Sequence, residues 1–174
     1  ASANLLHVDS QLDYDGSLSN ERESLGQVVS GKLEIAASDI WNVDLLAAHT
    51  KDHSDNLKDG VFSSRFDTDR DQFTFQNDIL AGKNGVVTLG LDYYQDEVSG
   101  STNYAVDSRD NTGLFGQYLG NIGRSDVQLS LRNDDNEQFG SETTGGASIG
   151  SEFSGGLRWT ASYAESIAQF DAAG

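Results

Sequence analysis

Apolar and polar side chains alternate with a period of two through most of this chain, and nothing else about it is as restrictive. At Leu6-Val8-Ser10-Leu12-Tyr14 one face is mostly apolar, while His7, Asp9, Gln11 and Asp13 point the other way. Val29, Leu33 and Ile35 likewise oppose Val28, Ser30, Lys32 and Glu34. Trp41, Val43, Leu45 and Ala47 oppose Asn42, Asp44, Leu46 and Ala48, and Phe73, Phe75 and Ile79 oppose Gln72, Thr74, Gln76 and Asp78. Val87, Leu89, Leu91 and Tyr93 oppose Thr88, Gly90, Asp92 and Tyr94. Farther on, Val127, Leu129 and Leu131 oppose Gln128, Ser130 and Arg132, and Leu157, Trp159, Ala161 and Tyr163 oppose Arg158, Thr160 and Ser162. Around 112–120 the phase is split, with Leu114 and Tyr118 competing against Phe115 and Leu119, and 143–152 is Gly-rich. A two-residue repeat is the mark of a half-buried strand, and no window reads better at the helical period.

Composition narrows the choice. The 174 residues contain no proline, against roughly 5% in an average protein, which suits long strands because proline cannot donate to a sheet ladder. Without cysteine there is no disulfide framework and no thiolate metal site. With 28 acidic residues against 11 Lys and Arg, the net charge of −17 argues against nucleic acid as a partner. No apolar run approaches the length of a transmembrane helix. The hydrophobic share of 36% is thin for a soluble core but suits a barrel with one polar face.

The connections alternate in length. Short turns are expected at Ala37-Ser38-Asp39, Gly82-Lys83-Asn84-Gly85, Gly120-Asn121-Ile122-Gly123 and Ser154-Gly155-Gly156, and long polar loops at about 15–25, 50–69, 96–110 and 133–142. Strands of roughly nine to eleven residues, tight turns at one end and long loops at the other describe an all-β, antiparallel, up-and-down transmembrane β-barrel in a single domain, 1–174. Its polar face carries Lys32, Glu34, Asp44, Asp78, Asp92, Arg132 and Arg158, a mixed-sign set suited to an interior ion-pair network. Trp41, Phe73, Tyr93 and Tyr163 stand near strand ends, where an interfacial girdle places aromatics. The rival is a soluble lipocalin-like barrel holding a small apolar ligand inside.

Nine segments alternate, whereas a closed antiparallel barrel with both termini on one side wants an even number. About eight strands is the preferred count, within a range of eight to ten, with one end segment outside the wall or Ile167–Phe170 forming a stunted tenth strand. Edge-to-edge pairing of two copies would also restore an even total.

Several stretches carry a family resemblance: Phe66-Asp67-Thr68-Asp69-Arg70-Asp71-Gln72-Phe73, Val106-Asp107-Ser108-Arg109-Asp110-Asn111-Thr112-Gly113-Leu114-Phe115, Leu131 to Gly140, and Thr160-Ala161-Ser162-Tyr163. They resemble the barrel of TonB-dependent outer-membrane receptors, most closely the cobalamin receptor branch, from about Gln11 to Tyr163. The resemblance implies the outer membrane of a Gram-negative cell, with membrane lipid and lipopolysaccharide (or detergent) as the surroundings, and no enzymatic activity. The family's plug domain, energy-coupling box and 22 strands have no counterpart here. The expectation is therefore a shortened or re-engineered barrel or pore remnant without energised transport of its own, and no cobalamin contact carries over residue by residue.

Candidate chemistry gathers in the acidic loops. Asp55, Asp59, Asp67, Asp69 and Asp71 offer hard oxygen ligands for Ca²⁺, the one candidate cofactor, and the related receptors bind calcium in such loops; solvated loop charge is the plainer reading. An EF-hand is excluded, because Gln72 stands where its glycine belongs and Asp78 where its glutamate belongs. Asp134, Asp135 and Glu137 read the same way. His7, His49 and His53 are too scattered for a metal triad. An enzyme at the rim would need His53, beside Asp52 and Asp55, as base and Ser54 or Ser63 as nucleophile. Gly145-Gly146, Gly150 and Gly155-Gly156 lack the Lys-Ser/Thr of a phosphate loop.

Overall fold

In the computed structural model of the chain, residues 1–13, 16, 20–153 and 155–166 are described. They form nine strands: β1 (Ser2–Asp13), β2 (Glu21–Ser38), β3 (Trp41–Lys58), β4 (Val61–Leu80), β5 (Gly85–Gly100), β6 (Ser108–Ile122), β7 (Ser125–Asn136), β8 (Gly140–Glu152) and β9 (Arg158–Ala164). Sheet order is chain order, β1 through β9, in an antiparallel up-and-down arrangement. Nine lies inside the expected range and one above the preferred eight. Both end segments belong to the sheet, so neither is left outside it. Tyr14, Ser154 and the proposed tenth strand at Ile167–Phe170 fall outside the described residues.

Most of the expected long loops are strand. β3 and β4 run for 18 and 20 residues and meet at Asp59–Gly60, so the loop placed at 50–69 shrinks to a two-residue turn. Asp59 has φ 53° and Gly60 φ 72°, the left-handed pair that a tight hairpin with right-twisted strands requires. The loop at 133–142 shortens to the residues between Asn136 and Gly140, and β5 continues to Gly100. These extensions are dense in charge, with Leu57, Val61, Phe62 and Phe66 scattered among Asp, His, Lys and Arg. Their backbones still pair, but no regular alternation betrays them.

Register decides which face each side chain takes. Tyr118 lies opposite Leu129 and Phe115 opposite Arg132, which resolves the split phase of β6. Leu114 and Tyr118 belong to the face of Leu129 and Leu131, while Phe115 and Leu119 join Arg132 and Gln128. In β1 the expectation reverses. Leu5 lies opposite Val29, and Leu6, Val8 and Leu12 lie opposite Val28, Gly26 and Arg22. The apolar run of β1 therefore sits on the polar face of β2, because a shift of one residue turns a strand over.

The contacts group the chain into two compact units. The first holds Ala1–Leu33, Leu46–Phe73 and Tyr93–Asp110; the second holds Glu34–Leu45, Thr74–Asp92 and the described residues from Asn111 on. Among the described residues neither unit has a buried apolar side chain. Leu5 is 76% exposed in the first, and Leu131 62% and Tyr163 69% in the second.

Candidate functional site

In the first unit, the odd-numbered side chains of the β3–β4 hairpin form a row of charge pairs. His49 Nδ1 is 2.8 Å from Asp71, and Lys51 Nζ is 3.5 Å from Asp69. His53 Nδ1 bonds Asp67 while its Nε2 lies 3.3 Å from Asp55. Arg65 grips Asp55 with both Nε and Nη2 at 2.8 Å. The carboxylates expected to hold calcium are those of this row, and the structure gives them other partners. Asp55, Asp67, Asp69 and Asp71 each face a cationic or imidazole side chain, while Asp59 occupies the hairpin turn and donates its N–H to Asn20. Among the described residues no three His, Asp or Glu side chains gather as a metal-holding group. The His53 dyad is not assembled either, since both ring nitrogens face carboxylates and leave neither for a serine hydroxyl.

Asp55 lies in the outer part of β3, beyond the apolar run, and the hydrogen bonds from Arg65 hold its carboxyl below the usual carboxylate range, with His53 adding to the effect. A lowered pKa stabilises the folded state above the ordinary carboxylate value of about 3.9, and that stabilisation disappears as pH falls through the lowered one. Carboxyl NMR should find Asp55 titrating below that ordinary value. In Arg65→Gln its midpoint should rise towards it, and an unmoved midpoint would contradict the pairing.

The opposite face of the same unit holds a groove of about 600 Å³. Leu6, Val8, Val28 and Phe66 give it apolar walls, and Arg22, Ser24 and Asp52 give it polar ones. Arg22 donates to Asn56 Oδ1 at 3.0 Å. Along these outer strand ends, charge lies on the face that carries apolar residues elsewhere, and apolar residues lie on the other.

The second unit contains the most fully connected cluster. Arg132 donates through Nε and Nη2 to Asp134 at 2.7 and 2.8 Å, and through Nη1 to Asp92 at 2.7 Å. Thr74 Oγ1 donates to the other oxygen of Asp92 at 2.9 Å, and Asn111 donates to Asp134 at 3.0 Å. Asn136 extends the chain to Asn111 and accepts the backbone N–H groups of Gln138 and Phe139, which caps the β7–β8 turn. The guanidinium stands 5.7 Å from the centre of the Phe115 ring, which lies over Gly90. Three guanidinium N–H groups and both aspartates are tied together across β5, β6 and β7, so the cluster is suited to fixing strand register.

Of the seven polar-face residues expected to form a network, Asp92 and Arg132 meet directly. Asp78 is held by Thr88 and Gln76 instead, and Arg158 bonds Asp126. Lys32, opposite Ser2, and Glu34 and Asp44 also have interaction partners. Asp134 escaped the sequence reading as a network member, although its spacing of two from Arg132 was the signal. In the first unit Arg70, paired with Asp96 and stacked on Tyr94, escaped it too.

A long-stranded, up-and-down antiparallel sheet that exposes its large apolar side chains and ties its charged ones together in pairs along the strands belongs to the class of outer-membrane β-barrels. More narrowly, the chain belongs to the family of TonB dependent receptor-like β-barrels, whose pattern it matches over residues 4–172. It is 30% identical over 142 residues to the Vitamin B12 transporter BtuB of Photobacterium profundum. That alignment covers 78% of this chain and 23% of the relative, so the chain spans about a quarter of that protein's length. The family is one of receptor and transporter barrels, not of enzymes.

Proposed function

We propose that this chain serves as membrane-embedded wall in an outer-membrane barrel of the cobalamin-receptor kind, without catalysis and without energised transport of its own. Its apolar face meets lipid, lipopolysaccharide surrounds its outer end, and its polar face looks towards the path of a cargo. The groove between Leu6, Val8, Phe66 and Arg22 is the stretch of wall best suited to touch that cargo. The observation that carries this reading is the exposure of large apolar side chains with none buried among the described residues. In water such a surface is unfavourable at roughly 25 cal/mol per Å², and soluble monomers rarely expose it in continuous patches.

The test is gel mobility, heated against unheated, after refolding in detergent and separately in plain buffer. A band that shifts on heating only after detergent refolding is the expected result. A monodisperse folded protein in buffer would overturn the reading and turn the apolar faces inward, as in a lipocalin-like barrel.

A further inference from the structure

Asp52 is the exception among the aspartates of the β3 and β4 strands in the first unit. On the other face Asp55, Asp67, Asp69 and Asp71 each hold a cationic or imidazole partner. Asp52 lines the groove walled by Leu6, Val8, Val28 and Phe66, and among the described residues its carboxylate has no hydrogen bond or ion pair. Gly26 makes the room for it. A β-carbon there would stand 3.3 Å from Oδ1 of Asp52, so the carboxylate lies against the bare backbone of β2.

Around this carboxylate the groove is apolar. In the β1–β2 ladder Val8 lies opposite Gly26 and Leu6 opposite Val28, and these two β1 side chains are 49% and 57% exposed. Arg22 stands farther out, opposite Leu12, with Asn56 as its partner. It is four residues from Gly26 along β2, about 13 Å at ~3.3 Å per residue, which exceeds the screening length of ~8 Å at physiological salt. The groove's volume of about 600 Å³ is that of a small-molecule site, where apolar walls supply contact and a few polar groups select the ligand. An unpaired carboxylate selects for positive charge, because an ammonium gives it a charge-assisted hydrogen bond. A neutral apolar ligand would cover Asp52 without giving it a partner, which is costly. An anion would meet both Asp52 and the field of a chain with net charge −17.

We propose that this groove binds a small organic cation, an ammonium group carried on an apolar ring or chain, with the ammonium against Asp52 and the apolar body against Leu6, Val8 and Val28. The inference rests on the groove being the stretch of wall that touches cargo, and adds the chemical class of what it touches. The full chain, with isotope-labelled Leu and Val methyl groups, is titrated with three probes of one shape: naphthylmethylammonium, naphthylmethanol and naphthylacetate. The medium is dodecyl maltoside or plain buffer, whichever keeps the chain folded, so the fate of the membrane reading does not decide the result. The expected result is a saturable shift of the Leu6, Val8 and Val28 methyl signals, with the ammonium bound about tenfold more tightly than the alcohol and the acetate weakest. In Asp52→Asn the ammonium loses that advantage. Detergent takes up each probe equally with either chain, so the difference between the chains belongs to Asp52.

Equal affinity for ammonium and alcohol, or a preference that survives Asp52→Asn, would overturn the cation site and leave the groove an apolar contact for cargo. Tighter binding of the acetate would assign the groove to anions through Arg22 and overturn it as well. No saturable shift with any probe would overturn both the cation site and the groove's contact with cargo.

Discussion

Arg132→Met should lower the stability of the sheet by about 2 kcal/mol, measured by urea unfolding in detergent micelles. The guanidinium stands between Asp92 and Asp134 with three bonds of 2.7–2.8 Å, and both carboxylates belong to groups with further partners in Thr74 and Asn111. Methionine fills much of the same space beside Phe115 but leaves two negative side chains facing each other. Removing one member of a fully buried pair costs ~3–5 kcal/mol, while exposed pairs are worth ~0–1. Here Arg132 is 34% exposed, Asp92 25% and Asp134 32%, so the effect belongs between those limits. Adding Asp134→Asn to Arg132→Met should recover part of the loss, because it removes one of the two opposed charges. A loss in the double variant equal to the sum of the two single losses would mean that the clasp is not a unit.

The sheet itself was legible in the sequence because lipid and lumen demand opposite side chains at successive positions. Phe73-Thr74-Phe75-Gln76 and Val127-Gln128-Leu129-Ser130 state that demand plainly. Where both faces meet water the demand lapses, and the outer hairpin of β3 and β4 read as loop although Asp59-Gly60 is a strong two-residue hairpin signal. That signal was obscured because its flanks, Leu57-Lys58 and Val61-Phe62, run on into charged stretches and not into a regular apolar alternation. The face taken by β1 was hidden for another reason. Its own periodicity is clear, but pairing Leu5 with Val29 is a choice of register, and a strand read alone carries no information about its neighbour's phase.

The candidate sites show the same division between local and distant. Arg132 and Asp134 stand two apart on one strand and so share a face, which sequence supplies. Asp92 lies two strands away, and that it meets Arg132 rather than Lys32 or Arg158 follows only from the stagger of β5, β6 and β7. The aspartates read as calcium ligands meet the same limit. Their high density from Asp55 to Asp71 is spread along two strands, where Arg65, His53, Lys51 and His49 face them instead of other carboxylates. Composition counts charges; the ladder decides which of them meet.

Gly90→Ala should destabilise the sheet by about 2 kcal/mol when Phe115 is present and should be neutral or stabilising when it is not. A β-carbon at Gly90 would stand 2.3 Å from Cζ of Phe115 and within 2.9 Å of two more ring atoms. The ring cannot retreat freely, since the Arg132 guanidinium lies over it, 5.7 Å from its centre, and is itself clasped by Asp92 and Asp134. Overpacking of this kind costs ~1–3 kcal/mol. Glycine is otherwise a poor strand residue, and an aromatic side chain laid across it from the neighbouring strand recovers the missing contact. Phe115→Ala removes that cover and should itself be destabilising. In the Phe115→Ala background the same Gly90→Ala change meets empty space and gains strand propensity, so its effect changes sign. Urea midpoints for the four proteins of this cycle measure the coupling directly. An unchanged penalty for Gly90→Ala without the ring would show that the alanine collides with backbone, and that Phe115 does not hold β6 against β5 in the way its position indicates.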